Sequence, residues 1–315
     1  MARLTERFTL SIDPPPDFSL HLTSSAYNFS WFYDGRALLL PLSLSPPAVA
    51  SIVEDPPSLR VVCYGEVERG EAEDQVRSRL GINEDLEEFY RLASDDALLR
   101  AVPRKLRGMR LRTMPPWYSF IAALCQQNAS FRQGWSMVYR LLKLLGRWFE
   151  VGPRAIPLPP SPRDVADLGL EALRGAGLGF RARALSEAAR LLVDEGLEDL
   201  APRDLEGLSR VRGVGKYTIR VASLFSSRRY EEPPVDRWLL KVTSEAYGVP
   251  LRRLEEGEAL IKSRWGRWGG LFAFFATIVT DAEPGRAAVE RVRRGLLEPS
   301  LSSGRPSPMT LWRFL

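Results

Sequence analysis

The residues of this chain best suited to chemistry cluster between positions 202 and 240. Leu205, Leu208 and Val211 fall at helical spacing, Gly213-Val214-Gly215 breaks it, and Tyr217, Val221, Leu224 and Phe225 resume it. Two glycines around one apolar residue let the backbone turn sharply and come close to a ligand. The amides of such a turn, opening a helix, lie at the positive end of its dipole and form an anion site that suits a phosphate. Arg210, Arg212, Lys216 and Arg220 surround it, so a nucleic-acid phosphate is the expected anion. Asp236 follows a Pro-Pro-Val run and opens the pattern Trp238, Leu239, Val242, at the mouth of a further helix. Its carboxylate is either an N-cap or the counter-charge to a cation that develops beside the gripped phosphate. Breaking the bond between a base and its deoxyribose puts such a charge on the sugar.

The elements that must hold these residues predict an α+β chain. Residues 7–65 alternate short apolar runs (FTLSI, FSLHL, FSWFY, ALLLPLSL, VVCYG) with proline-marked turns, which predicts antiparallel strands with a helix near 47–54. From about residue 74 the spacing is helical. Residues 115–146 predict two helices joined around Gln126 to Ser130, the first apolar nearly throughout and therefore buried. The stretch VGPRAIPLPPSPR, 151–163, predicts a stiff connector. Two more helices are expected over 161–199, with Ser161 as N-cap, Asp164 at capping-box spacing, and Gly177 and Gly179 as helix ends. Arg181 and Arg183 either face a phosphate or open a solvated helix. Beyond Asp236, a charged helix covers LRRLEEGEALIKSRWG and an apolar one falls within 264–281, where Phe272, Phe274 and Phe275 read as core. The expected organisation is a small α+β N-terminal domain over 1–105, a helical region over 106–290 with its hairpin at 208–216, and a tail over 291–315. Leu311, Trp312, Phe314 and Leu315 of that tail dock on the body or on another molecule.

Composition narrows the chemistry. At 315 residues the chain has room for two or three domains, and 45% hydrophobic with 26% charged residues is the balance of a soluble globular protein. A net charge of +5 is compatible with an acidic partner but does not by itself require one. The two cysteines, Cys63 and Cys125, form neither a disulfide framework nor a metal-ligand spacing, and His21 is the single histidine. An iron–sulfur cluster, a zinc site and a histidine-dependent triad are therefore not expected. No apolar run reaches the ~18 residues of a membrane span and no signal pattern opens the chain, so the expected location is intracellular, in cytoplasm, nucleoid or nucleus.

The string L-x-x-V-x-G-V-G-K-Y-T over 208–218, followed by Val235-Asp236, resembles the helix-hairpin-helix DNA glycosylase superfamily. The stretch HLTSSAYNFSWFYDG is similar to the N-terminal domain of 8-oxoguanine DNA glycosylases, with Ala26 where that family usually has glycine. Phe29 and Trp31 there read as sheet core. CQQN, 125–128, is similar to the loop that inserts an Asn into the duplex, and LRGAGLGFRARALSEAARLL and the 264–281 helix have family counterparts too. The resemblance implies an α+β fold, with a small antiparallel-sheet N-terminal domain and a two-lobed, mainly helical glycosylase body. It implies double-stranded DNA with a damaged base as partner, no membrane, and a monomer.

The resemblance also implies roles. Gly213, Val214, Gly215, Lys216 and Arg212 would hold the backbone, with Gln127 and Asn128 at the vacancy left by an extruded base; for Gln127 and Asn128 the alternative is helix capping. Asp236 would stabilise the cationic sugar and orient a water. Superfamily members that also cut the strand carry a lysine where this chain has Tyr217. A phenol forms no imine, and Lys216 lies about 100° round the helix, so a monofunctional glycosylase is expected. One alternative is a bifunctional 8-oxoguanine glycosylase and abasic-site lyase using a lysine such as Lys216. Another is a non-catalytic DNA-binding module. The base pocket draws on Tyr217, Trp117, Trp268 and Thr277. Thr277 stands where relatives present an aromatic, Ala273 where the oxidised-base enzymes have glutamine, and Trp238 where a histidine follows the aspartate. These departures shift the expected substrate towards alkylated or deaminated bases and away from oxidised ones. Carbonyls of Ser209, Val211 and Val214 are candidate ligands of a monovalent cation.

Overall fold

The computed structural model describes residues 1–302 and 304–315. In chain order the elements begin with β1 (Ala2–Leu4), β2 (Glu6–Ile12), α1 (Leu20–Ser25), β3 (Leu38–Leu44), β4 (Pro47–Asp55) and β5 (Ser58–Gly65). Helices α2 (Arg69–Leu80), α3 (Glu87–Ser94), α4 (Val102–Lys105), α5 (Pro116–Gln126) and α6 (Phe131–Leu145) follow. Next come β6 (Arg147–Val151), β7 (Arg154–Leu158), α7 (Pro162–Leu168), α8 (Leu170–Gly175) and α9 (Arg181–Asp194). A 3-10 helix (Pro202–Arg210), α10 (Lys216–Ser227), α11 (Arg237–Tyr247), α12 (Leu254–Trp265), α13 (Gly269–Val279) and α14 (Gly285–Arg293) complete the body. No helix is long and apolar enough to cross a membrane among the described residues.

The N-terminal sheet is antiparallel, in the order β2-β5-β4-β3. The helix expected near 47–54 is instead β4, paired along its length with β5 and β3. Val49, Ile52 and Val53 are β-branched and suit a pleated surface better than a helix. The reverse holds for FSLHL. A strand was expected there, but Ser19 accepts the Leu22 amide at 3.2 Å and starts α1. Five residues are too few for period to separate strand from helix. Residues 30–32 form a turn and Tyr33 bridges Leu38, while Phe29 and Trp31, expected as sheet core, pack against α6 instead, Phe29 buried and Trp31 half-buried. The expected stiff connector at 151–163 is in part a hairpin: β6 and β7 pair antiparallel, and β1 joins β6 in parallel. Gly152, at φ +57, makes its turn.

Three cores divide the chain. One lies under the N-terminal sheet, around Ile12, Leu38, Ile52, Val61, Val76 and Leu80. A second joins α5, α6, α7 and α9, around Phe120, Leu124, Leu141 and Leu185. A third surrounds the apolar α13, with Trp265, Phe272 and Phe275 at its centre. The expected domain boundary at 105 does not coincide with a break between cores, because Leu86, Phe89, Leu98, Leu106 and Leu111 all pack into the third. Helix α13 can sit close because Gly270 lies against residue 230; a Cβ there would come within 2.9 Å of the Tyr230 Cα. Ser161 caps α7 with Asp164 completing the capping box, as the spacing predicts.

Helix α10 belongs to both helical cores. Ile219 and Ala222 face the second, Leu224 the third. Arg220, expected around the hairpin, is buried instead and tied to α12: both ends of its guanidinium meet Glu258 at 2.8 Å. That contact holds the Glu258 carboxyl down at about 2. Replacing Arg220 with Met is expected to cost roughly 2–3 kcal/mol of stability at neutral pH. That is less than a fully buried pair loses, because Lys262 stays with Glu258. Urea denaturation reads this, and an unchanged midpoint would show the pair is no tie between lobes.

Candidate active site and nucleic-acid interface

The hairpin is built by alternating burial. Val211 and Val214 are buried in the second core, while Arg212, Gly213, Gly215 and Lys216 are exposed. Gly213 takes φ +94, which the turn requires. A Cβ on Gly215 would meet nothing within 4 Å, so the outer side of the turn is open. No side chain caps α10, and its first intrahelical bond runs from the Ile219 amide to the Gly215 carbonyl at 3.3 Å. The amides before it are the orphan donors of a helix N-terminus. Val214 differs from the expectation on two counts. Its side chain is in the core, and its amide is spent on the Val211 carbonyl at 3.0 Å. Arg210 is held by Glu195 at 2.9 Å, which leaves Arg212 and Lys216 as the exposed cations of the turn.

The loop between α5 and α6 meets this hairpin. Gln127 Nε2 donates to the Gly213 carbonyl at 2.9 Å. The Gln127 carbonyl in turn accepts from Arg181 Nε at 3.0 Å, and a second nitrogen of that guanidinium reaches it too. Arg181 is buried and lies over the Phe180 ring at 4.4 Å; it braces the loop and does not face solvent. Arg183 is exposed and pairs with Glu187. Asn128 stands free at the loop tip, exposed and at φ +48. It caps no helix, since Ser130 with Gln133 caps α6.

Asp236 sits at the N-cap of α11, where its carboxylate accepts the Leu239 amide at 2.8 Å. It also lines a cavity of about 380 Å³ between the two helical cores. The N-cap and the site are thus the same residue. Burial raises the Asp236 pKa above the usual carboxylate value, with the backbone amides of Leu239 and Trp238 pulling it back. Tyr217, one residue into α10, shares the cavity wall, and its phenol is pushed up by burial and then by the Asp236 charge. Phe131 and Trp135 from α6, Phe225 from α10, Trp238 from α11 and Phe274 from α13 supply more aromatic wall. Thr277 lines it as expected. Among the lining residues there is no lysine.

Trp117 and Trp268 do not line this cavity. Trp117 is 3% exposed and stacks on Phe120 at 5.5 Å. Trp268 is 5% exposed in the third core, its ring nitrogen donating to Glu88 at 2.9 Å. A tryptophan on an apolar helical stretch most readily fills core. Conversely Phe274, expected as core, is also cavity wall, and Tyr27, Gln126, Phe131, Trp135 and Glu283 were not singled out as pocket residues. Phe131 and Trp135 at i, i+4 carried the available signal. Gln126 needs Gly134: a Cβ there would meet its side-chain amide at 2.4 Å.

Among the described residues, no group of three or more His, Cys, Asp or Glu side chains could hold a metal. At the candidate cation ligands, the Val211 carbonyl is engaged by Val214, and Ser209 Oγ turns back to the Glu206 carbonyl at 2.7 Å. No buried, unpartnered side-chain atom among the described residues lies between 209 and 214 to mark a cradle. Replacing Arg181 with Ala strips the Gln127 carbonyl of its charged donor and is expected to cost about 1–3 kcal/mol. Hydrogen exchange should report faster opening of 126–130 and of the hairpin together; exchange confined to α9 would show that the brace transmits nothing.

No family model matches the chain. A curated protein of Methanothermobacter thermautotrophicus, named a probable N-glycosylase/DNA lyase, is 22% identical over 265 residues, covering 74% of this chain and 84% of that protein. The solved structure of 3-methyladenine DNA-glycosylase from Archaeoglobus fulgidus matches with a TM-score of 0.70 at 18% identity, over 86% of this chain and 97% of that one. The apo 8-oxoguanine glycosylase/lyase of Clostridium acetobutylicum matches with a TM-score of 0.67 at 16% identity, over 91% and 98%. The chain therefore has the fold of the helix-hairpin-helix DNA glycosylases, the superfamily its sequence resembles.

Proposed function

We propose that this protein is a base-excision-repair DNA glycosylase that takes a damaged base into the aromatic cavity and hydrolyses its N-glycosidic bond. The observation that carries this reading is a half-buried carboxylate, Asp236, on the wall of a base-sized cavity whose other wall begins directly after an open helix N-terminus. The hairpin, with Arg212 and Lys216, grips phosphate without regard to sequence. Asn128 fills the stack once the base has left, which offsets part of the few kcal/mol of extrusion. Asp236 stabilises the positive charge developing on the sugar and orients the attacking water. A fixed counter-charge in a dry site needs no reorganisation as the bond breaks, which is why it lowers the barrier.

The reaction proposed is monofunctional and leaves an abasic site. Tyr217 cannot form an imine, Lys216 is exposed, and the cavity lining lacks an amine. The second reading, glycosylase with lyase activity, is favoured by the names of the Methanothermobacter and Clostridium proteins. The electron-rich walls favour alkylated bases, whose electron-poor rings stack well on aromatic faces and are drawn to a carboxylate. A non-catalytic DNA-binding module would have no use for a carboxylate set into an apolar cavity.

Two measurements test this. Asp236→Asn keeps a capping side chain and removes the charge. Base release is expected to fall by about 10²–10³-fold, while the melting temperature stays level or rises. The sign follows from the raised pKa. Ionising this carboxylate costs more in the folded chain than in the unfolded one, so stability falls as pH rises through the folded value, and the Asn variant escapes that loss. In the wild type, kcat/KM should drop on the acid side above the ordinary carboxylate range. Undiminished release by the variant would remove Asp236 from the mechanism. Duplexes with single lesions, split between hot alkali and borohydride, address the second reading. Strand breaks only after alkali are expected, and a trapped covalent adduct would establish the lyase instead.

A further inference from the structure

Tyr27 is the least ordinary residue of the cavity. It adopts φ +50, a region a side chain this size rarely enters. Its amide donates to the Pro308 carbonyl at 2.8 Å, which ties the conformation to the far end of the chain. Its ring sits among Trp135, Phe225 and Phe274, each at 5.6 Å between centroids, and Phe131 at 6.0 Å. Its hydroxyl bonds Thr277 Oγ1. Either hydroxyl could donate in that bond, and the next one makes Tyr27 the donor in our assignment. Thr277 gives its single hydroxyl proton to the Phe274 carbonyl at 2.7 Å, inside α13. Thr277 can then only accept from Tyr27, and Tyr27, having given its proton away, can only accept from anything else. Burial keeps the phenol neutral by raising its pKa.

We propose that the Tyr27–Thr277 pair is the specificity filter of the cavity, favouring a flipped purine with an amino group at its six-position over one with a carbonyl there. This rests on the glycosylase reading and deepens it. An amino group donates to the Tyr27 oxygen. A carbonyl oxygen would face that oxygen with no proton between them, and two buried acceptors left unpaired are strongly disfavoured. The pair therefore reads the edge of the base, while the rings around it read only flatness and charge.

Duplex DNA treated with a simple methylating agent provides the test, since it carries 3-methyladenine and 3-methylguanine in one substrate. The ratio of the two bases released under competition, each divided by its abundance in the substrate, is the ratio of their kcat/KM values. Wild type should favour the adenine product. Thr277→Val releases the Tyr27 proton towards the cavity and should lower the ratio by about tenfold or more, with hypoxanthine release rising in parallel. Tyr27→Phe should flatten the ratio without reversing it. Thr277→Ser keeps both hydrogen bonds and should match wild type, which separates the filter from general damage to the fold. A Thr277→Val ratio within twofold of wild type overturns the filter. Wild-type release of 8-oxoguanine alone overturns it too, while leaving the glycosylase reading intact. Release of nothing from any lesion overturns that reading and the filter with it.

Discussion

A carboxylate set into the wall of an apolar cavity is the constraint on which the rest of this structure turns. Desolvation works against the ionised form of Asp236, and the Leu239 amide at the start of α11 works for it. That compensation requires a helix to begin where the cavity wall is needed. It also requires α11 to be held rigidly, which the third core does through Leu239 and Val242 packed near Phe272 and Phe275. The same helix start that satisfies Asp236 sets Trp238 into the wall, its ring nitrogen fixed by the Glu283 carbonyl at 2.8 Å. The site is thus held by backbone geometry more than by other side chains.

Helix α10 carries that geometry to the exposed hairpin. Its N-terminus is left without a side-chain cap at the exposed hairpin, its second residue is cavity wall, and its remaining turns are packed from both helical cores. The interlobe tie between Arg220 and Glu258 lies on the same helix. The chain Arg181, Gln127, Gly213 then fixes the Asn128 loop to the turn that precedes α10. The hairpin turn, the Asn128 loop and the Asp236 carboxylate are therefore positioned relative to one element.

Much of this was legible in the residues, for identifiable reasons. The turn at the hairpin and the helix start at Asp236 could be read because glycine spacing and an aspartate after Pro-Pro carry strong local meaning. Ser161 and Asp164 were legible as a cap for the same reason. The sheet was harder: β4 and α1 exchange the assignments their sequences invite, since tertiary pairing decides short segments. The 151–158 hairpin was hidden by prolines that edge strands tolerate. The pocket was least legible. Whether Phe274 or Trp268 faces a core or a cavity depends on what packs opposite, and that partner lies far away in sequence. Arg220 and Arg181 illustrate the same limit, since charge type alone does not tell a buried tie from a phosphate grip.

Tyr27 is held by Pro308 and bonded to Thr277, and Ser30 beside it donates to Leu315 at 2.6 Å. One wall of the cavity is therefore assembled from residues near opposite ends of the chain. During synthesis the hairpin, α10 and the Asn128 loop can all form before that wall exists. A ribosome-bound chain in that state would carry the hairpin without the finished cavity. Such long-range closure is slow to form, so this wall is expected to be completed after the local elements around it.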